Sequence, residues 1–264
     1  MSIAIIDFSY LRASGRETIQ NVLGGYTVLL TYELAYEIST NSDRINPSTF
    51  YKKLQGINLI HAQSLINLVK EEVKTSRWVD DVLHSKSKQL VDALINAKGV
   101  GAQPEIQDFF EKDEPKKFKE ALDRMWDKKH DGIFVSRKPI DAQTDAKEYL
   151  ALLAPPEAKN IRGETIAKYH HMKHAPEPGW LIYDWELLRN FLAFRYRLNR
   201  TRSCQLGDKK LANDLADLTY LAFVSRVDAI ATYDTALIRP LAQVFGPPNF
   251  KIIPPCGNWQ KNEC

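Results

Sequence analysis

The sequence is poor in cysteine, and its cysteines are not arranged for cross-linking or metal binding. There are three among 264 residues, Cys204, Cys256 and Cys264, and no Cys-x-x-Cys pair occurs. An odd number without such a pair gives no support for a disulfide framework or a zinc ribbon. The simplest interpretation is that these are reduced thiols in a cytosolic protein.

Long apolar runs are also missing. No run approaches the roughly 20 residues that a helix needs to cross a bilayer. The N-terminal stretch MSIAIIDFSYLR contains only a short apolar run, which Asp7 interrupts, so we expect no signal peptide. The sequence therefore predicts an intracellular, cytoplasmic protein with no membrane partner.

Several common site signatures do not occur. Neither Gly-x-x-x-x-Gly-Lys-Ser/Thr nor Gly-x-Gly-x-x-Gly is present, so binding of nucleoside triphosphates or dinucleotides has no support. The segment DFSYL lacks the second aspartate of an Asp-x-Asp phosphatase. His170, His171 and His174 have no cysteine or evident fourth ligand beside them, so we expect no zinc site.

Near the two ends of the chain the sequence contains short apolar runs rich in β-branched residues. These runs are Ser2 to Asp7, Tyr26 to Thr31, Asp228 to Thr232 and Phe250 to Ile253. Such runs without alternation are typical of strands buried on both faces of a parallel sheet. Helical patterns lie between them, which predicts an α/β fold. Trp180 to Tyr183 is a candidate for one more strand.

The middle of the chain differs from its ends. Helical periodicity extends almost throughout residues 46–160, as in INLIHAQSLINLVKEEVK, and a polar loop lies between Gly163 and Gly179. We therefore predict a discontinuous α/β core, made of residues 1–45 plus 178–264. The core carries a mostly helical insertion, residues 46–177.

Carboxylates follow the predicted strands of the core. Asp7 ends the first strand, and Asp234 lies two residues past the third run. Ligands of open parallel sheets bind outside the carboxyl ends of the strands, so these two acids are expected at one edge. Further acids lie on adjoining helices, in pairs that share a helix face: Glu33 with Glu37, and Asp214 with Asp217.

Carboxylates gathered at one edge repel one another unless a cation lies between them. Mg²⁺ and Mn²⁺ prefer such oxygen ligands, and a pair of these ions promotes phosphodiester cleavage. Structural alternatives exist. Asp214 and Asp217 would also suit the first turn of a helix, and Asp234 a helix cap. Glu33 and Glu37 would suit a solvated helix face.

Four segments together resemble a PIN-like domain, the metal-dependent nuclease fold related to the 5′-nucleases. They are IAIID, VLLTYELAYEI, NDLADL and AIATYD, in that order along the chain. The resemblance covers roughly residues 1–38 and 180–264. It implies a three-layer α/β fold with a central parallel sheet and an acidic Mg²⁺ or Mn²⁺ pocket that usually cleaves single-stranded RNA.

The resemblance implies one set of acidic catalytic residues and metal ligands, in chain order Asp7, Glu37, Asp214 and/or Asp217, and Asp234. Glu37 matches the family's offset from the second strand better than Glu33 does. Thr232 would be the hydroxyl that orients the acids. Arg226 and Val227 stand where the family has a glycine, and the chain is much longer than the compact domain.

A basic stretch precedes and enters the NDLADL segment. Residues expected to hold a nucleic-acid backbone are Arg195, Arg200, Arg202 and Lys209, and aromatic residues interleave with the arginines. The mild net charge of +3 agrees only weakly with a nucleic-acid partner. The alternative is an amphipathic helix whose arginines are solvated.

These patterns predict a divalent-metal-dependent endoribonuclease, which would suit a toxin, a defence effector or a processing enzyme. RNA is favoured over DNA as the partner. The alternatives are an inactive PIN-like module that binds a protein through its helical insertion, and the same site acting on DNA. A homo-oligomer is compatible with the sequence.

Overall fold

The computed structural model describes residues 2–40, 47–83, 85–95, 108–125, 138–201 and 203–254. The chain forms two compact units. The first comprises Met1–Gln63, Leu83–Gln103 and Val224–Cys264, and the second Ser64–Val82 and Pro104–Phe223. Arg202, one of the predicted substrate-binding residues, lies outside the described residues.

The first unit contains a five-stranded sheet in which all strands are parallel. The strands, in spatial order β3-β2-β1-β4-β5, are numbered along the chain as β1 Ile3–Ile6, β2 Thr27–Leu30, β3 Asn58–His61, β4 Ala229–Ala231 and β5 Lys251–Ile253. The prediction of an α/β fold with a parallel sheet made by both ends of the chain is confirmed. Strand β3 was not predicted, and it lies within the range 46–177.

The helices follow one another along the chain as α1 Phe8–Ala13, α2 Arg16–Leu23, α3 Tyr32–Thr40, α4 Pro47–Lys52, α5 Leu65–Thr75, α6 Ser87–Ile95, α7 Glu114–Met125, α8 Ala142–Leu152, α9 Pro156–His170, α10 Leu181–Leu198, α11 Asp208–Ala222 and α12 Ile238–Phe245. In the described part of the chain, no helix is both long enough and apolar enough to cross a membrane.

The central strands are buried because their side chains are apolar on both faces. Ile5, Leu29 and Ile230, from three adjacent strands, are at most 1% exposed. Helices α1, α2, α3, α4, α6 and α12 belong to the same unit. Burial on both faces is what unalternated β-branched runs predict for a parallel sheet.

The register of the sheet decides which residues meet at its carboxyl edge. Ile6 pairs with Ala231, the last residue of β4, and Leu30 pairs with His61, the last residue of β3. The first residues past β1 and β4 are therefore neighbours, and the backbone N–H of Asp7 donates to the carbonyl of Ala231 at 3.1 Å. The segments that follow β1 and β4 therefore both leave the sheet at this edge.

The second unit is helical in the residues described, with α5, α7, α8, α9, α10 and α11 and a five-residue π-helical segment, Phe109–Asp113. Helix α10 packs against α5, α7, α8 and α11 and supplies much of the core. The domains predicted as 1–45 plus 178–264 and 46–177 stay a prediction, although α10 and α11 group by their contacts with this helical unit.

The strand predicted at Trp180 to Tyr183 is wrong, because α10 begins there instead. The buried carboxylate of Glu72 accepts a hydrogen bond from the backbone N–H of Ile182 at 2.9 Å. It thereby satisfies one of the N–H groups that a helix start leaves without an intrahelical partner. Leu181 and Trp185 then lie one turn apart on a buried face, so the apolar run continues with helical spacing.

Candidate functional site

Asp7 follows β1 directly and is almost completely buried, with 1% of its surface exposed. Its carboxylate caps α1, accepting a hydrogen bond from the backbone N–H of Tyr10 at 2.7 Å. The hydroxyl of Ser9 lies 2.8 and 2.9 Å from the two carboxylate oxygens. A strand end followed at once by a helix start thus fixes this side chain at the carboxyl edge of the sheet.

Thr232 follows β4 and faces Asp7 across the junction of the two strands. Its hydroxyl donates to Oδ2 of Asp7 at 2.5 Å and accepts from the backbone N–H of Asp234 at 2.9 Å. The N–H of Tyr233 donates to the hydroxyl of Ser9 at 3.0 Å. Hydroxyl groups from both strand ends therefore hold the acidic residues in one connected network.

The electrostatic state of Asp7 is unusual for an aspartate. Burial raises the pKa of its carboxyl from 3.8 to about 6, although hydrogen bonds from Thr232, Tyr10 and Ser9 lower it. The negative charge of Asp234 raises the pKa further. The two carboxylates therefore interact unfavourably, and a bound cation would relieve both the burial cost and their repulsion.

Asp234 also organises the turn that leads into α12. Its Oδ1 accepts from the N–H groups of Ala236 at 2.7 Å and Leu237 at 3.0 Å, and its Oδ2 from that of Ile238 at 3.4 Å. Asp234 thus organises the turn before α12, whereas the N-cap position of that helix is occupied by Leu237. The negative charge of the same carboxylate still raises the pKa of Asp7, because both residues lie at one edge of the sheet.

Helix α3 carries both glutamates considered for the second acidic position. Thr31 caps this helix, accepting from the N–H of Leu34 at 3.2 Å. Glu33 lies in the first turn, just past the end of β2, and is completely buried, whereas Glu37 lies one turn further on and is half-buried. In position along the chain and in burial, Glu33 resembles Asp7 more closely than Glu37 does.

Asp214 and Asp217 lie on α11, in the helical unit. The carboxylate of Asp214 accepts from the hydroxyl of Tyr196 and from Nζ of Lys210, the latter at 2.6 Å. Lys210 also lies over the Tyr196 ring, 5.3 Å from its centroid. Asp214 therefore already has a cationic partner within its own unit, and Tyr196 is a buried partner of that acid.

The predicted substrate-binding residues have different surroundings. Arg195 points its Nε toward Oδ2 of Asp145 at 3.3 Å, and Asp145 is completely buried. Arg200 is exposed and has a left-handed backbone with φ of 55° just after α10. Lys209 is exposed in the first turn of α11. Arg195 thus has a structural partner, while Arg200 and Lys209 are open to solvent.

Sequence reasoning missed two residues at the sheet edge, Ser9 and His61. Ser9 was visible as the Asp-x-Ser spacing after the first strand, which places a hydroxyl within reach of the aspartate it follows. His61 ends β3, is completely buried and packs edge-on against Tyr32, with ring centroids 4.6 Å apart. Nothing in the sequence marked His61, because the strand that carries it was not recognised.

The donor set at this edge fits a magnesium-type ion in part. Among the residues that the structure describes, no three His, Cys, Asp or Glu side chains form a group that could hold a metal. Mg²⁺ needs less than such a cage, because it is commonly bound by one or two carboxylates together with waters and substrate phosphates. Asp7 and Asp234 supply two carboxylates at this edge, so the residues present fit the ion in part.

Comparison with known proteins gives no relative for this chain. No family model, no curated protein and no solved structure matches it. Function is therefore inferred from the geometry of the site.

Proposed function

We propose that this protein is a divalent-metal-dependent nuclease of PIN-like architecture, acting as an endoribonuclease on single-stranded RNA. The observation that supports it best is the Asp7 carboxylate. It is buried at the end of a central strand, and its pKa is raised to about 6. The negative charge of a second carboxylate, Asp234, contributes to this rise. Such a pair is costly to keep charged, and a cation is the group that makes it favourable.

In this proposal Asp7 and Asp234 hold Mg²⁺ or Mn²⁺, with Glu33 or Glu37 as a further candidate ligand. The ligand role of Asp214 and/or Asp217 stays a prediction. When bound, such an ion neutralises phosphate charge and lowers the pKa of a coordinated water. Thr232 fixes the orientation of the Asp7 carboxylate through its hydroxyl, and Ser9 holds both oxygens of Asp7. The carboxylates are thereby oriented before substrate arrives, which is how positioned groups lower a barrier.

The exposed cations Arg200 and Lys209 are proposed to contact the phosphate backbone. The same role for Arg202, which lies outside the described residues, stays a prediction. Arg195 would act indirectly, by holding α10 in place through Asp145. Contacts of this kind are sequence-independent and weaken with salt. A cytoplasmic toxin, a defence effector or an RNA-processing enzyme would each use such a surface.

The deciding experiment is cleavage of end-labelled single-stranded RNA and DNA in Mn²⁺, Mg²⁺ or EDTA. Asp7→Asn and Asp234→Asn are expected to abolish metal-dependent cutting. The matched control is Asp228→Asn, because Asp228 lies at the opposite edge of the same sheet and accepts from the N–H of Ile3 at 2.7 Å. Cutting that survives both site variants, or needs no metal, would overturn the proposal.

The same assay separates the two glutamates. We expect Glu33→Gln to lower cleavage and Glu37→Gln to leave it close to the unsubstituted rate, because Glu33 is the buried acid beside the strand end. The reverse result would assign the second position to Glu37. RNA cleaved and DNA left intact would fix the substrate class.

A second candidate function is an inactive module that binds a protein partner. The structural roles of the two acids favour it, because Asp7 caps α1 and Asp234 organises the turn before α12. This alternative predicts that a pull-down recovers a stable protein partner, and that the partner still binds after substitution of both acids. Absence of any partner, together with metal-dependent cutting, would dismiss it.

A further inference from the structure

The helical unit contains a pocket that the proposed nuclease chemistry does not use. We call it the α5–α10 pocket, because helices α5 and α10 form its main walls, with the π-helical segment and the end of α9. Its volume is about 640 Å³, within the range of small-molecule sites. All of its lining residues belong to the helical unit, so the pocket can be described within that unit alone.

One wall of the pocket is apolar and aromatic. Val69 and Val73 from α5 pack against the cluster that contains Ile182 of α10. Trp185 of α10 and Phe109 also line the pocket. The rings of Phe109 and Trp185 have centroids 6.2 Å apart with their planes tilted by 39°. Phe109 opens the π-helical segment, a conformation that is often found at functional sites. This wall suits a flat, largely apolar ring.

The floor of the pocket is a buried network of charges. Nη2 of Arg189 donates to both oxygens of Glu186, at 2.8 and 2.7 Å, and Nη1 donates to Glu114 at 3.1 Å. Nε2 of His170 lies 3.1 Å from Glu186. The side chains of Arg189, Glu186 and Glu114 are at most 10% exposed. The network fixes the guanidinium rigidly at the pocket floor.

A network of this kind contributes less to stability than well-packed apolar side chains of the same volume would. Burial raises the pKa of Glu186, but His170 and Arg189 outweigh burial and lower it. Both glutamates have cationic partners, since Lys117 lies 3.0 Å from Glu114. A polar floor beneath an apolar wall is the usual arrangement by which a pocket orients a ligand with one polar edge.

The rim of the pocket carries charges of both signs, with two lysines on α5. Lys70 and Lys74 are exposed, lie one helical turn apart and line the pocket. Within the residues that the structure describes, neither has an ion-pair partner, whereas Asp108, which also lines the pocket, pairs with Lys112 at 2.7 Å. The exposed Asp113 lines the pocket as well. An anionic group at the mouth would meet both lysines.

From these three features we propose that the α5–α10 pocket binds a small aromatic anion. The ligand would be a planar ring with a polar edge, joined to a phosphate or carboxylate group. The ring would lie against Trp185 and Phe109, its polar edge toward Arg189, and its acidic group between Lys70 and Lys74. Mononucleotides and aromatic carboxylic acids share this chemistry. The proposal is independent of the nuclease site.

The test is isothermal titration of the full chain with AMP, GMP, CMP, UMP and indole-3-acetate, each measured separately. Inorganic phosphate and uncharged nucleosides serve as ligand controls. At least one aromatic anion is expected to bind, and the ligand that binds distinguishes a nucleotide site from an aromatic-acid site. No binding of any of the five at millimolar concentration would overturn the proposal, as would phosphate alone binding equally well.

Two variants locate the binding. Lys70→Gln/Lys74→Gln is expected to weaken it by about tenfold, because two charge-assisted contacts are lost. Val69→Phe is expected to block the half-buried wall and abolish binding, with the fold checked by circular dichroism. The matched control is Lys147→Gln/Lys159→Gln, two exposed lysines of the same unit outside the pocket. Binding unchanged in both pocket variants would overturn the assignment.

Discussion

The hydroxyl of Thr232 donates a hydrogen bond to the carboxylate of Asp7, from a residue 225 positions further along the chain. The two residues follow β4 and β1, which are adjacent and in parallel register. Asp234 joins them, because its N–H donates to the same hydroxyl. The acidic edge of the sheet is therefore one hydrogen-bonded unit, and a change at one member should be measurable at the others.

Removing the Thr232 hydroxyl tests that connection. We expect Thr232→Val to lower the free energy of unfolding by about 1–3 kcal/mol, because the buried carboxylate of Asp7 and the N–H of Asp234 each lose a partner. Thr232→Ser keeps the hydroxyl and should retain most of the stability. Urea unfolding of the three proteins measures the difference. Equal losses in the valine and serine variants would indicate that the methyl group, and not the hydrogen bond, matters here.

The raised pKa of Asp7 predicts a defined dependence of stability on pH in the absence of metal. Because the pKa is about 6 in the folded state and 3.8 as the ordinary value, the folded protein holds the proton more tightly. The stabilising effect of this bound proton is complete below about pH 4 and is lost as the pH rises through 6. The difference in pKa corresponds to roughly 3 kcal/mol.

Asp7→Asn provides the comparison, because its amide carries no charge at any of these pH values. In EDTA, the advantage of the variant over the unsubstituted protein should grow by roughly 3 kcal/mol between pH 4 and pH 8. Urea unfolding across this range measures it. A difference that stays constant with pH would mean that Asp7 is ionised throughout.

Arg195 and Arg200 are expected to behave differently, although both were predicted to hold nucleic acid. Arg195→Gln leaves the completely buried Asp145 without its guanidinium, so we expect a loss of about 2 kcal/mol or more in unfolding free energy. Arg200→Gln removes an exposed charge and should change stability by less than about 0.5 kcal/mol. Thermal unfolding measures both, and the double variant Asp145→Asn/Arg195→Gln should recover part of the loss.

Nucleic-acid affinity should show the opposite pattern. Arg200→Gln/Lys209→Gln is expected to weaken binding of single-stranded RNA and to reduce its dependence on salt, because fewer phosphates are neutralised. Fluorescence anisotropy at several salt concentrations measures this. If Arg195→Gln alone weakened binding without loss of stability, its side chain would be assigned to the RNA-binding surface after all.

The sequence predicted four of the strands because their runs are apolar without interruption, as a sheet buried on both faces requires. Strand β3 escaped notice, since its sequence NLIH begins with Asn58 and ends with His61 and lies within a helical pattern. The run from Trp180 to Tyr183 misled in the opposite direction, because a short apolar run fits a strand and the start of a buried helix equally well. At the start of this helix, the backbone N–H of Ile182 donates to the carboxylate of Glu72, which is 110 residues away in the sequence.

The acids at the strand ends could be predicted, because a parallel sheet gathers its carboxyl ends at one edge. The hydrogen bond from Thr232 to Asp7 depends on the register of β1 with β4, which the residues alone do not specify. The contact of Ser9 with Asp7 is local, two residues along the chain. The pairing of Asp214 with Tyr196 and Lys210 likewise depends on how α10 packs on α11. Local patterns thus located the acids, whereas their partners are a product of tertiary structure.

The strand order has a consequence for the growing chain on the ribosome. Strands β1, β2 and β3 are complete once about the first quarter of the protein has been made, but β1 pairs on its other side with β4, near the end of the chain. Until β4 emerges, the nascent protein exposes an unpaired strand edge of isoleucines, the kind of surface on which chains aggregate. Closure of this sheet is a late and long-range event, and it coincides with assembly of the Asp7 and Thr232 contact.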